Sequence, residues 1–170
     1  MGDSITSGIF ALGGALLGGL TGYAATAVEI RGRRWEATVA RQDALLQTRR
    51  TLYSTLVERA DLTVDAARRM WSHAESTDIS PEDYDAYVAI WESLVRARAS
   101  VDIIGPPAAM EAARALNRAV ADVCNCVDEW INGEAWTSTA QARYSQARET
   151  WLRCRKSFVE IAHDVLSSAT

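Results

Sequence analysis

A chain of 170 residues with 18 basic and 22 acidic side chains, net charge −4, has room for one domain beyond an N-terminal anchor. The excess of acidic residues makes the body of the chain a poor candidate for nucleic acid, which needs a clustered positive face. Three cysteines cannot form an even disulfide set, and a composition rich in Ala, Leu, Arg and Glu points to an all-α fold.

The first element is the run Ser4–Val28, which holds no charged residue over 25 positions. About 20 apolar residues in a helix suffice to cross a hydrocarbon core about 30 Å thick, so a transmembrane helix is expected here. At about 100° per residue, Ser7, Ala11, Gly14, Gly18, Gly22 and Ala25 share one narrow face. Ile9, Leu12, Leu16, Leu20 and Tyr23 share the opposite one. The doubled small-xxx-small pattern lets backbones approach closely, which predicts association of copies or pairing with another membrane protein. A secretory signal peptide would want a basic n-region, and here Asp3 is the only charge before the run, although Ala25-Thr26-Ala27 resembles an A-x-A cleavage site and keeps that alternative open. A myristoyl anchor at Gly2 would be redundant beside a spanning helix.

Arg31, Arg33 and Arg34 follow the run at once. Basic flanks mark the cytoplasmic side, so the N-terminus is expected outside the plasma (inner) membrane and the remainder in the cytoplasm. Residues 29–50 carry six Arg against Glu29, Glu36 and Asp43, a balance of +3. From Thr51 onward 12 basic residues face 18 acidic ones, a balance of −6. A basic collar beside an acidic body suits anionic lipid headgroups, with Arg31, Arg33 and Arg34 as the contacts. On that cytoplasmic side the cysteines are expected as reduced thiols. The predicted organisation is therefore 1–28 transmembrane helix, 29–50 Arg-rich juxtamembrane helix and 51–170 cytoplasmic helical bundle.

From Glu29 to about Ala74 there is no proline and one glycine, Gly32, which predicts a single long helix leaving the membrane. Trp35 falls where an interfacial ring would sit. Leu52, Leu56, Ala60, Val64, Ala67, Met70, Trp71 and Ala74 then repeat at three and four, as a buried stripe does. Ser76–Ser80 is a break. Ser80-Pro81-Glu82-Asp83 reads as a helix start, with a capping serine, proline at the first position and acids in the first turn. The second helix carries Tyr84, Tyr87, Val88, Trp91, Leu94, Val95 and Val101 on one side, and Gly105-Pro106-Pro107 ends it near Ile103.

A third helix is expected from about Pro107 to Ile131, with Met110, Ala113, Leu116, Val120, Cys124, Val127 and Ile131 on its stripe. Thr137 or Ser138 caps a fourth. There Ala140, Tyr144, Ala147, Trp151, Cys154, Phe158, Ile161 and Val165 alternate at four and three, the spacing of coiled-coil-like packing. Four amphipathic helices with short connections predict an antiparallel four-helix bundle, with the transmembrane helix continuing into its long first helix. The pairing order stays open.

No catalytic constellation stands out. Glu160 and His163 give one Glu-x-x-His, but a di-iron bundle site needs two such motifs and two further Glu, and Met70 stands three before His73. Cys124 and Cys126 are two apart on a helix and diverge by about 200°, which excludes them as a zinc pair. Gly13–Gly18 lacks the Lys-Ser/Thr of a phosphate loop. Trp71, Trp91 and Trp151 are expected in the core. Trp130 and Trp136, beside the last turn, are candidates for partner contact.

Arg49-Arg50-Thr51-Leu52-Tyr53 and Val101-Asp102-Ile103-Ile104-Gly105-Pro106-Pro107 carry a resemblance to small, poorly characterised bacterial single-pass membrane proteins. These share a Gly/Ala-rich membrane helix, an Arg-rich continuation and a cytoplasmic helical bundle. The resemblance implies that architecture and no activity. The expected function is that of a non-enzymatic, membrane-anchored scaffold or interaction protein without cofactor or metal, associating through its glycine face. Two alternatives stand beside it: a phage holin-like or toxin-like membrane-perturbing protein, and a small-ligand sensor bundle.

Overall fold

The computed structural model describes the backbone of residues 3–74, 79–131 and 138–168, and the side chains of residues 35–72, 79–131 and 139–168. The chain is all-helical over these residues, with no strand among them. Its elements are α1 (Asp3–Ala74), α2 (Pro81–Ile104), α3 (Pro107–Ile131) and α4 (Ser138–Ser167). Residues divide into two compact units, Met1–Leu45 and Leu46–Thr170.

In the first unit the backbone is helical from Asp3 onward and forms the first part of α1. The side chains of the uncharged run, including Ser7, Ala11, Gly14, Gly18, Gly22 and Ala25, lie outside the described residues, as do those of Arg31, Arg33 and Arg34. Among the described residues no helix is long and apolar enough to cross a membrane. Trp35 is 70% exposed.

The second unit is a helical bundle. Along α1, Tyr53, Leu56, Ala60, Val64, Ala67, Met70 and Trp71 are buried, so the stripe at three-four spacing is the face turned inward. α2 begins as its residues dictate: Ser80 is extended, its hydroxyl oxygen accepts from the Asp83 N–H at 3.1 Å, and Pro81 occupies the first turn. It ends where the Gly105 N–H donates to the Val101 carbonyl at 2.8 Å. Gly105 has φ −73°, so no left-handed residue is needed there. A Cβ on Gly105 would stand 2.7 Å from the Val101 carbonyl oxygen and 3.2 Å from Val101 Cγ1, and this crowding is what the glycine answers.

α3 is the central element. Ala109, Ala112, Ala113, Leu116, Ala119, Val120, Val123, Cys124 and Val127 are all buried, a face wider than one stripe. Alanines on both sides let neighbouring helices close in on it. On α4 the buried residues are Tyr144, Ala147, Trp151, Phe158 and Ala162.

Contacts fix the order that sequence left open. Tyr53 meets Phe158 edge-on at 5.7 Å between ring centroids, and Trp71 stacks on Tyr144 at 4.2 Å, so α1 and α4 run antiparallel. Arg114 binds Asp102 at 3.1 Å and Arg143 binds Glu129 at 2.8 Å, which makes α2–α3 and α3–α4 antiparallel neighbours. Arg49 Nε donates to the Ile104 carbonyl at 3.2 Å, tying the start of the packed half of α1 to the end of α2. That bond satisfies one of the carbonyls a helix end leaves open.

Candidate functional site

Three places in the bundle carry more than core packing. At the loop end, Trp71 packs against both Tyr144, stacked at 7° between planes, and Trp130, tilted at 5.2 Å. Trp130 is half-buried and packs against the core. Sequence placed it beside its stripe as a contact for a partner; its ring is engaged within the chain. Trp136 lies outside the described residues, as do Thr137 and the side chain of His73.

Between α2 and α3 a pocket of about 240 Å³ is lined by Tyr84, Tyr87, Trp91, Cys124, Asn125 and Asp128, among others. Burial pushes the Cys124 thiol up to about 12, and burial also raises the Tyr87 hydroxyl and the Asp128 carboxyl. A thiol held protonated is a poor nucleophile and a poor metal ligand. Cys126 and Cys154 are half-buried and free, and burial raises the Cys126 thiol as well.

A groove of about 680 Å³ lies along the α1–α4 pair. Its floor is apolar: Val57, Leu62, Phe158, Val159, Ala162 and Leu166 line it. Arg50, Ser54, Glu58, Asp61 and Asp65 line its α1 side, and His163 its α4 side. Asp61 receives a two-pronged bond from Arg155, with Nε to Oδ1 at 2.7 Å and Nη2 to Oδ2 at 2.8 Å. The pair raises the Arg155 guanidinium further, through its hydrogen bond to Asp61. It also ties α1 to α4 at mid-groove.

Of the residues lining this groove, sequence names Phe158 on a stripe, His163 beside Glu160, and Arg50 and Tyr53 in a motif, but none of them as part of a groove. Leu62 and Val159 fall off the buried stripes of their helices, and a signal was nonetheless present. Leu152, Val159 and Leu166 recur every seven residues on α4, beside the stronger stripe through Trp151 and Phe158. Glu160 and His163 are exposed; Glu160 sits 3.8 Å from Lys156, and His163 3.7 Å from Asp164. Among the described residues no group of three His, Cys, Asp or Glu could hold a metal ion.

Set against known proteins, the chain matches no family model, no curated protein and no solved structure.

Proposed function

We propose that the protein is a non-enzymatic scaffold, tethered to the membrane by the run Ser4–Val28 and presenting its helical bundle in the cytoplasm. The observation that carries this reading is in the sequence: Ser4–Val28 holds no charge over 25 positions, long enough as a helix to span a bilayer, and Arg31, Arg33 and Arg34 follow it at once. Ser7, Ala11, Gly14, Gly18, Gly22 and Ala25 would bring copies, or another membrane protein, into close backbone contact. Arg31, Arg33 and Arg34 would lie against anionic headgroups and fix the orientation. An open apolar groove flanked by charge, rather than an enclosed polar pocket, suits docking better than catalysis.

The test is membrane crosslinking of the full chain with Gly14 and Gly18 replaced by Leu. Loss of the crosslinked species supports assembly through the glycine face; undiminished crosslinking removes that part. Recovery of the natural chain in the soluble fraction without detergent would remove the tether itself.

A further inference from the structure

We propose that the α1–α4 groove is the contact face of a two-fold dimer, occupied by the same groove of a second copy. This deepens the assembly reading above, but it engages the bundle and does not require the membrane run.

The apolar part comes first. Leu62 (38% exposed) and Val159 (43%) line this groove, and Leu152 (52%) stands seven residues before Val159, on the same face of α4. Single exposed apolar residues are ordinary, whereas a contiguous set around an apolar groove marks a contact site.

Charge then names the occupant. The α1 edge is acidic at its middle, where Glu58 and Asp65 flank Asp61 at three- and four-residue spacing; Arg50 stands at its start. Along α4, Arg148, Leu152, Lys156, Val159 and His163 repeat at four, four, three and four, all five exposed, so Arg148 and Lys156 set positive charge on that edge beside Glu149 and Glu160. Two such faces can meet about only two kinds of in-plane two-fold axis. An axis across the groove sets α1 on α1 and α4 on α4, which opposes like charges. An axis along the groove sets α1 of each copy on α4 of the other, acid against base. Electrostatic complementarity selects the second.

That axis leaves every residue at its own height, so the internal register predicts the contacts. Tyr53–Phe158, Asp61–Arg155 and Trp71–Tyr144 give the heights. To within one helical turn, about 5 Å, Leu62 is level with Leu152, Glu58 with Lys156, and Asp65 with Arg148. Each lies on the edge that would face its counterpart in the second copy. The bonds these charges now make are long and exposed: Asp65–Arg68 at 3.4 Å and Lys156–Glu160 at 3.8 Å. They can be exchanged across an interface at little cost. Asp61–Arg155 stays intact in each copy as the wall of the groove.

The test is a charge swap in the full chain in detergent, with two differently tagged copies. One carries Glu58→Lys and Asp65→Arg; the other carries Lys156→Glu and Arg148→Glu. Each alone opposes like charges in both halves of its homodimer, and co-isolation of tagged copies of one kind should fall by about tenfold or more. Mixed together, the two kinds restore opposite charges in both halves, and co-isolation should return to the natural level. Such rescue also shows that both variants fold. The experiment is repeated with Gly14 and Gly18 replaced by Leu, so that association through the membrane run is read separately. Co-isolation indifferent to the charge variants in that background overturns the proposal, as does failure of the mixture to recover. A natural chain that stays monomeric with a co-purifying amphiphile or a foreign helix in the groove overturns it as well.

Discussion

Asp61 and Arg155, 94 residues apart in sequence, meet fork to fork across the α1–α4 interface at 2.7 and 2.8 Å. Each side chain is 38% exposed, so water screens the pair and its worth is well below that of a buried bridge. The planar guanidinium still fixes geometry that an ammonium would not. Asp61→Asn or Arg155→Lys should cost about 1 kcal/mol in urea unfolding, and the double variant little more than either single one. Additive losses would mean that the two side chains act separately.

Gly105→Ala should destabilise although the backbone there is ordinary. The added methyl would meet the Val101 carbonyl oxygen at 2.7 Å, a backbone atom that already accepts the Gly105 N–H and has little room to shift. Overpacking of this kind costs about 1–3 kcal/mol. The readout is the thermal midpoint, with a companion loss of protection at Val101, which is fully buried.

The local chemistry of the chain was plain in sequence wherever one residue type has one role. Ser80-Pro81 started α2 and Pro107 started α3 as written, and Gly105-Pro106-Pro107 separated the two. The stripes named the core well, with Leu56, Leu94, Leu116 and Phe158 fully buried. Tyr84 was placed on a stripe but is 38% exposed, because it lies in the first turn of α2, before that helix reaches its neighbours. Trp91 was placed in the core and is half-buried at the edge of the α2–α3 pocket. The groove was not legible for a different reason. It is formed by residues beside the stripes of two helices far apart in sequence, and only their pairing brings those margins together. The pairing order depends on how wide each buried face is, and the breadth of α3, carried by alanines, is easily overlooked in a stripe of larger residues.

Cys124 makes a pH prediction. Its thiol is held neutral by burial, with the pKa pushed up from 9.0 to about 12. A group raised on folding gives its full stability below the unfolded value and loses it as pH climbs through the folded one. Stability should therefore be flat near neutrality and decline from about pH 9 toward 12, and the raised Tyr87 hydroxyl steepens the fall above its ordinary range. In Cys124→Ala that decline should be shallower, although the variant is less stable at neutral pH because of the cavity. In the natural chain at pH 8, a thiol reagent should modify Cys126 and Cys154 before Cys124, with Cys124 reacting only as the bundle unfolds.

Trp130 separates local packing from partner contact. Trp71 has Tyr144 stacked on it at 4.2 Å and Trp130 tilted against it at 5.2 Å, so removing either neighbour uncovers part of a large ring at the loop end. Aromatic pairs add about 0.5–1.5 kcal/mol beyond the area they bury. Tyr144 is buried and Trp130 half-buried, which makes Tyr144→Ala the costlier change. It should lose about 3–4 kcal/mol, and Trp130→Ala about 1–2 kcal/mol, in denaturant unfolding. Trp130→Ala should also red-shift the emission of Trp71 as water reaches its uncovered side. If the stability and emission of the isolated chain do not change, the ring contributes nothing locally, and its exposed margin is then free to serve a partner. A loss of the stated size assigns Trp130 to the bundle itself.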